Sequence, residues 1–154
     1  MIAVNEWQSY LQRLTDSNEL LEHCELVVNI SQLKERVKEL DITQYPLLVG
    51  VVPSADSASM DEDNISELNS LLLMVLQPIE RGTDSTTELE QLEVLQNAIT
   101  GIKRRIREDY FRCDMPMLDD VKFRSYATEP VYNLLGYMGW MFRFEIETSE
   151  YETF

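Results

Sequence analysis

Apolar residues enter the chain at helical spacing. Val4, Trp7, Leu11 and Leu14 recur at intervals of three and four, which puts them on one face of an N-terminal helix. Asp16, Ser17 and Asn18 then break the pattern and can cap a turn around Leu20 and Leu21. Residues 25–30, ELVVNI, are short and β-branched, as a strand would be. Ser31 can cap a second helix that turns Leu33, Val37 and Leu40 inward and Lys34, Arg36 and Lys38 outward, with Pro46 closing the region.

The period then changes. Residues 47–52, LLVGVV, are apolar at every position, which predicts a strand buried on both faces. Residues 53–64 read as a polar loop, and 71–76 as a second buried strand closed by Pro78. These two strands are expected to pair antiparallel across the loop. Ser85 and Glu88 have the spacing of a capping box. Leu92, Leu95, Ile99, Ile102 and Ile106 follow at three, four, three and four, predicting an amphipathic helix of about six or seven turns. Pro116 stops it.

Two strands complete the pattern. In the first, Val121, Phe123 and Ser125 alternate with Lys122 and Arg124. In the second, Trp140, Phe142, Phe144 and Ile146 alternate with Met141, Arg143, Glu145 and Glu147. Pro130, Asn133, Gly136 and Gly139 mark the connection as turn-rich, and residues 148–154 read as a frayed acidic tail. The expectation is one α+β domain over 1–154. Its mostly antiparallel, four- to five-stranded sheet packs on the long amphipathic helix and the N-terminal helix.

A chain of 154 residues can bury roughly 70% of the surface it exposes when unfolded, enough for a core without metal or disulfide staples. Its charge changes the functional picture more. With 28 acidic and 13 basic residues the net charge is −15, which repels phosphates and anionic membranes at long range. Sequence-specific nucleic-acid binding and membrane binding are therefore not expected. The N-terminal stretch has neither a basic leader nor an unbroken apolar run, so the protein is expected to be made and kept in the cytoplasm, or released with an assembly built there. Cys24 and Cys113 lie in no CxxC or Cys/His spacing and are read as reduced, partly buried thiols.

The chemistry is sparse. His23 is the one histidine, read as a surface or half-buried residue near a helix end. Its neighbour Cys24 points another way in either a helix or a strand. No phosphate-cradling or nucleophile-elbow glycine motif occurs. Asp56, Asp61, Glu62 and Asp63 form an acidic loop without the central glycine of a calcium-binding loop. Asp119 with Asp120, and Glu145 with Glu147, are paired carboxylates with no sign of a cleft to raise one pKa. No catalytic, cofactor-binding or metal-ligating residue is assigned, and an enzyme is not expected.

Interface candidates are clearer. Lys103, Arg104, Arg105, Arg107 and Arg112 gather five of the basic residues toward the end of the long helix, where they complement its dipole. Lys103, Arg104, Arg105 and Arg107 also make a basic patch that could meet an acidic neighbour, with Asp61, Glu62 and Asp63 as one acidic counterpart. Arg143, Glu145 and Glu147 offer a charged strand face, and Tyr132, Tyr137, Met138, Trp140 and Met141 an aromatic and methionine-rich stretch.

The order of elements over 4–14, 47–52, 71–76, 89–110 and 140–146, ending in the strand GYMGWMFRFEIE, resembles that of phage tail-terminator and tail-completion proteins. The strand and helix over 25–40 are additional to that pattern. The resemblance implies a small non-enzymatic protein that forms a ring, usually of six copies, capping a tail tube and joining it to the head or to an equivalent injection-system part. Its partners would be itself and other tail or connector proteins. The alternative is an acidic adaptor, inhibitor or immunity-type protein that binds a basic partner. An enzyme using converging carboxylates ranks behind both.

Overall fold

The computed structural model describes residues 1–57, 66–112, 115–118 and 121–149. Helix α1 spans Val4–Asp16, strand β1 His23–Val27 and the short helix α2 Leu33–Arg36. Strands β2 (Leu47–Ser57) and β3 (Ser66–Pro78) precede helix α3 (Ser85–Arg112), and β4 (Val121–Leu134) and β5 (Tyr137–Ser149) close the chain. The five strands make one sheet in the order β1-β2-β3-β5-β4. Only β1 and β2 run parallel; the other neighbours are antiparallel. The fold is the expected α+β arrangement; of the strand expected over 25–30, residues 25–27 join the sheet in β1, which begins at His23, and 28–30 lie beyond it.

The two faces of the sheet explain the apolar run in β2. Leu48 faces α1 and α3 in one core with Trp7, Leu11, Ile99, Ile102, Val75 and Phe142. Leu47 and Val49 face the other way, into a second core with Leu33, Val37, Met74 and Leu76. That second core is roofed by the segment between β1 and β2. Indole hydrogen bonds fix the helices to the sheet: Trp7 Nε1 donates to the Val51 carbonyl at 3.0 Å, and Trp140 Nε1 to the Leu92 carbonyl at 2.9 Å.

Several local expectations are corrected. Val4 is 48% exposed, and Ile2 and Tyr10 take the buried positions beside Trp7, Leu11 and Leu14. Ser31 caps no helix. It sits in a 3-10 turn, Ile30–Gln32, and only four residues beyond it are α-helical. Leu33 and Val37 are nonetheless buried as expected, because one turn suffices to roof the sheet. Residues 53–57 are strand, not loop: Ser54 to Ser57 pair with Ser70 to Glu67 on β3. A ladder is held by backbone hydrogen bonds, so this polar arm left no apolar trace in the sequence. The predicted loop residues 58–64 lie outside the described residues.

The connection between the last strands is also tighter than expected. Leu134 pairs with Tyr137, leaving Leu135 and Gly136 as a two-residue loop with φ of 54° and 85°. Both signs suit the right-handed twist of a hairpin. Pro130 lies inside β4, which tolerates it because β4 is an edge strand. Thr148 is buried and pairs with Glu67, so β5 absorbs the first residues assigned to a frayed tail. The rest of that tail, 150–154, lies outside the described residues.

The cap of α3 shifts by one residue. Asp84 accepts the Thr87 amide at 2.8 Å through its carboxylate, and its carbonyl accepts the Glu88 amide. Ser85 is the first helical residue. The amides of Thr87 and Thr86 hold the Asp84 carboxyl below its usual value. A depressed folded pKa stabilises above the unfolded value and loses that contribution as pH falls through the folded value. Asp84→Ala should therefore lower the melting temperature at neutral pH. The difference from wild type should close as pH drops below about 3.8, the ordinary value for this group. Thermal melts by circular dichroism across that range test the convergence.

Candidate assembly surfaces

Alternation along β5 decides where its charged residues go. Phe142, Phe144 and Ile146 are buried under the helices, so Arg143, Glu145 and Glu147 project from the second sheet face. There Arg143 pairs with Glu129 at 3.2 Å, both about half exposed. Glu147 Oε1 accepts the Ser66 hydroxyl at 2.9 Å. Arg143 sits in a cross-strand row with Ala127, Leu72 and Val51. The roof over the second core stops short of this row. The uncovered part is an open hollow of about 500 Å³, lined by Val28, Val51, Leu72 and Ala127 with Arg143 and Glu145.

The basic cluster is on the opposite side of the sheet, on α3, and the structure divides it. Lys103 leans over β4, donates to Thr128 Oγ1 at 2.9 Å and lies 5.7 Å from the Phe142 ring centroid. Arg105 turns inward to Asp109 at 3.3 Å. Arg104 and Arg107 stay exposed. Arg107 is more than one turn from the helix end, beyond the reach of the dipole, so only Arg112 fits the dipole reading. Asp61, Glu62 and Asp63, the proposed acidic counterpart, lie outside the described residues, as do Cys113, Asp119 and Asp120.

The exposed stripe of α3 extends beyond the basic cluster. Leu89, Glu93, Gln96, Thr100, Arg104, Arg107 and Phe111 are all exposed at spacings of three and four. Its first half carries Glu93 and its second half Arg104 and Arg107. Leu89 is 66% and Phe111 72% exposed, near the two ends.

Sequence reasoning missed Asp109, which continues the inward repeat of Leu95, Ile99, Ile102 and Ile106 and is fully buried. Tyr10 Oη donates to its Oδ2 at 2.9 Å and Arg13 to its Oδ1 at 3.0 Å. Burial, and then the Asp109 charge, push the Tyr10 hydroxyl far above its ordinary pKa, so it stays a donor. The network ties α1 to α3. An acidic residue in phase with a run of buried isoleucines was the available signal.

His23 lies on β1 rather than near a helix end, with Nε2 2.8 Å from Glu25 Oε1. Cys24 points to the other face, where its Sγ donates to Gln12 Oε1 at 3.3 Å. Burial pushes its thiol pKa up, away from thiolate chemistry, and it is a free thiol. Among the described residues, no three His, Cys, Asp or Glu side chains converge where a metal ion could sit. None of their helices is long and apolar enough to cross a membrane. The aromatic stretch is divided too. Met138 is buried, Tyr137 meets Tyr45 hydroxyl to hydroxyl at 2.9 Å, and Tyr132 is exposed with its hydroxyl on Glu88. Burial and the Tyr137 hydrogen bond raise the Tyr45 pKa.

No protein-family model matches the chain, and no curated protein is significantly similar to it.

Proposed function

We propose that this protein is a non-enzymatic structural component of a phage-type tail or a related injection system. It would self-associate into a ring that caps a tail tube, as the tail terminators it resembles do. The observation that carries this reading is the presence of two different charged surfaces on a chain of net charge −15. Arg104 and Arg107 stand exposed on one side of the sheet, and Glu145 with the Arg143–Glu129 ion pair lies on the other. Head-to-tail ring contacts need two different, complementary patches on each subunit. Edge strands β1 and β4 add two further surfaces through which neighbours could join. An acidic lumen would also keep DNA from adhering as it passes.

The solution mass tests the reading. Light scattering after size exclusion, over a wide concentration range with and without magnesium, should detect a closed ring, with six copies as the expected number. A strict monomer under every condition would overturn that expectation and favour an adaptor for a basic partner.

A further inference from the structure

The outer stripe of α3 has an internal symmetry. Laid antiparallel on a second copy with Thr100 facing Thr100, Leu89 meets Phe111 of the other copy, Glu93 meets Arg107, and Gln96 meets Arg104. All seven positions are exposed, and their three–four spacing is that of a helix-packing seam. Each opposed pair occurs twice about the two-fold axis.

We propose that α3 is a two-fold self-docking surface whose occupant is the antiparallel α3 of a second copy. The charge pattern is the argument for that occupant. Two chains of net charge −15 repel at long range, so contact has to bring opposite charges together locally. The antiparallel register does so at Glu93 and Arg107. A parallel alignment would stack Glu93 on Glu93 and Arg107 on Arg107. Neither side chain forms an ion pair among the described residues. Both lie more than a turn inside the helix, where the macrodipole gives their placement no reason. Leu89 and Phe111 supply apolar contact at each end of the seam. One helix face makes a small interface, so the association is weak and concentration-dependent.

The contact does not rest on the tail reading. It joins two free chains, and because it covers Arg104 and Arg107 it competes with a ring contact made through them. Sedimentation velocity on purified protein should show the mass doubling with concentration. Glu93→Arg and Arg107→Glu should each weaken the doubling by about tenfold or more, because like charges then face each other twice. The combined variant carrying both changes should restore it. These positions are exposed, and circular dichroism verifies that each variant folds. Leu89→Ser with Phe111→Ser should also weaken it without touching charge. Failure of the combined variant to recover, or a wild-type mass that never doubles, overturns the proposal. A ring whose mass ignores all these changes overturns it too, while leaving the assembly reading in place. A doubling free chain that forms no ring supports the contact and counts against the ring.

Discussion

Gly139→Ala should be the most damaging single methyl group in this protein, costing more than about 4 kcal/mol or preventing folding outright. Gly139 lies in β5, opposite Leu76 of β3 on one side and Val131 of β4 on the other. A Cβ built there falls 1.8 Å from the Val75 carbonyl oxygen and 2.9 Å from its carbon. Those are backbone atoms of the central strand, with β2 hydrogen-bonded on the far side. Relief requires prying β3 from β5, which would open the cores on both sheet faces. Gly50→Ala is the informative control. Its Cβ would meet Leu11 Cδ1 at 2.1 Å, but that atom ends a flexible side chain. Rotation of Leu11 should hold the cost to about 1–3 kcal/mol. Urea unfolding followed by tryptophan fluorescence compares the two. A Gly139→Ala protein as stable as Gly50→Ala would mean that β3 and β5 can slide past each other.

Gly139 also illustrates what the sequence could and could not convey. From the sequence it counts as one of four turn residues between the last strands, since glycine is a common turn former. It is instead a point of close strand approach, and a single residue type serves both purposes. Elements with a clear apolar pattern are legible: α1, α3 and β5 by periodic apolar positions, the centres of β2 and β3 by unbroken apolar runs. Elements held by backbone pairing are not. The polar arm of β2 and the later half of β4, with Pro130 inside it, have no apolar alternation to betray them. The segment before Pro46 has the sequence pattern of a helix because Leu33 and Val37 are in helical phase. Two buried residues of one turn carry the same phase as a full helix.

The surfaces were legible in composition and not in geometry. Five basic residues between 103 and 112 suggested one patch, yet Lys103 packs on Phe142, Arg105 binds Asp109, and only some of the charge faces out. Which arginine turns inward depends on a partner on another element, and no local pattern contains that partner. For Arg143, Glu145 and Glu147 the strand period was sufficient, since a period of two assigns the face without knowing what covers it. The hollow beside them was not legible, because it exists where the segment between β1 and β2 stops short.

Asp109→Ala should destabilise the protein by about 3 kcal/mol, the larger part arising from what it leaves behind rather than from the contacts it removes. Asp109 is fully buried, while Arg13 and Arg105 are 37% and 27% exposed. Both arginines can therefore recover some hydration in the variant, which keeps the cost at the lower end for breaking a buried pair. The Tyr10 hydroxyl cannot do so, since Tyr10 is buried and would be left a donor without its acceptor. Asp109→Asn retains an acceptor for Tyr10 and should cost less, about 1–2 kcal/mol. Tyr10→Phe in the Asp109→Ala background should recover part of the loss, because the stranded hydroxyl is then gone. Equilibrium urea titrations of the three variants separate these contributions. An Asp109→Ala cost below about 1 kcal/mol would mean that water enters the α1–α3 seam to replace the carboxylate. The same substitution would release Arg105 from its inward pairing, adding positive charge at the basic end of α3. Its effect on self-association can thus be read apart from its effect on stability, at temperatures where the variant remains folded.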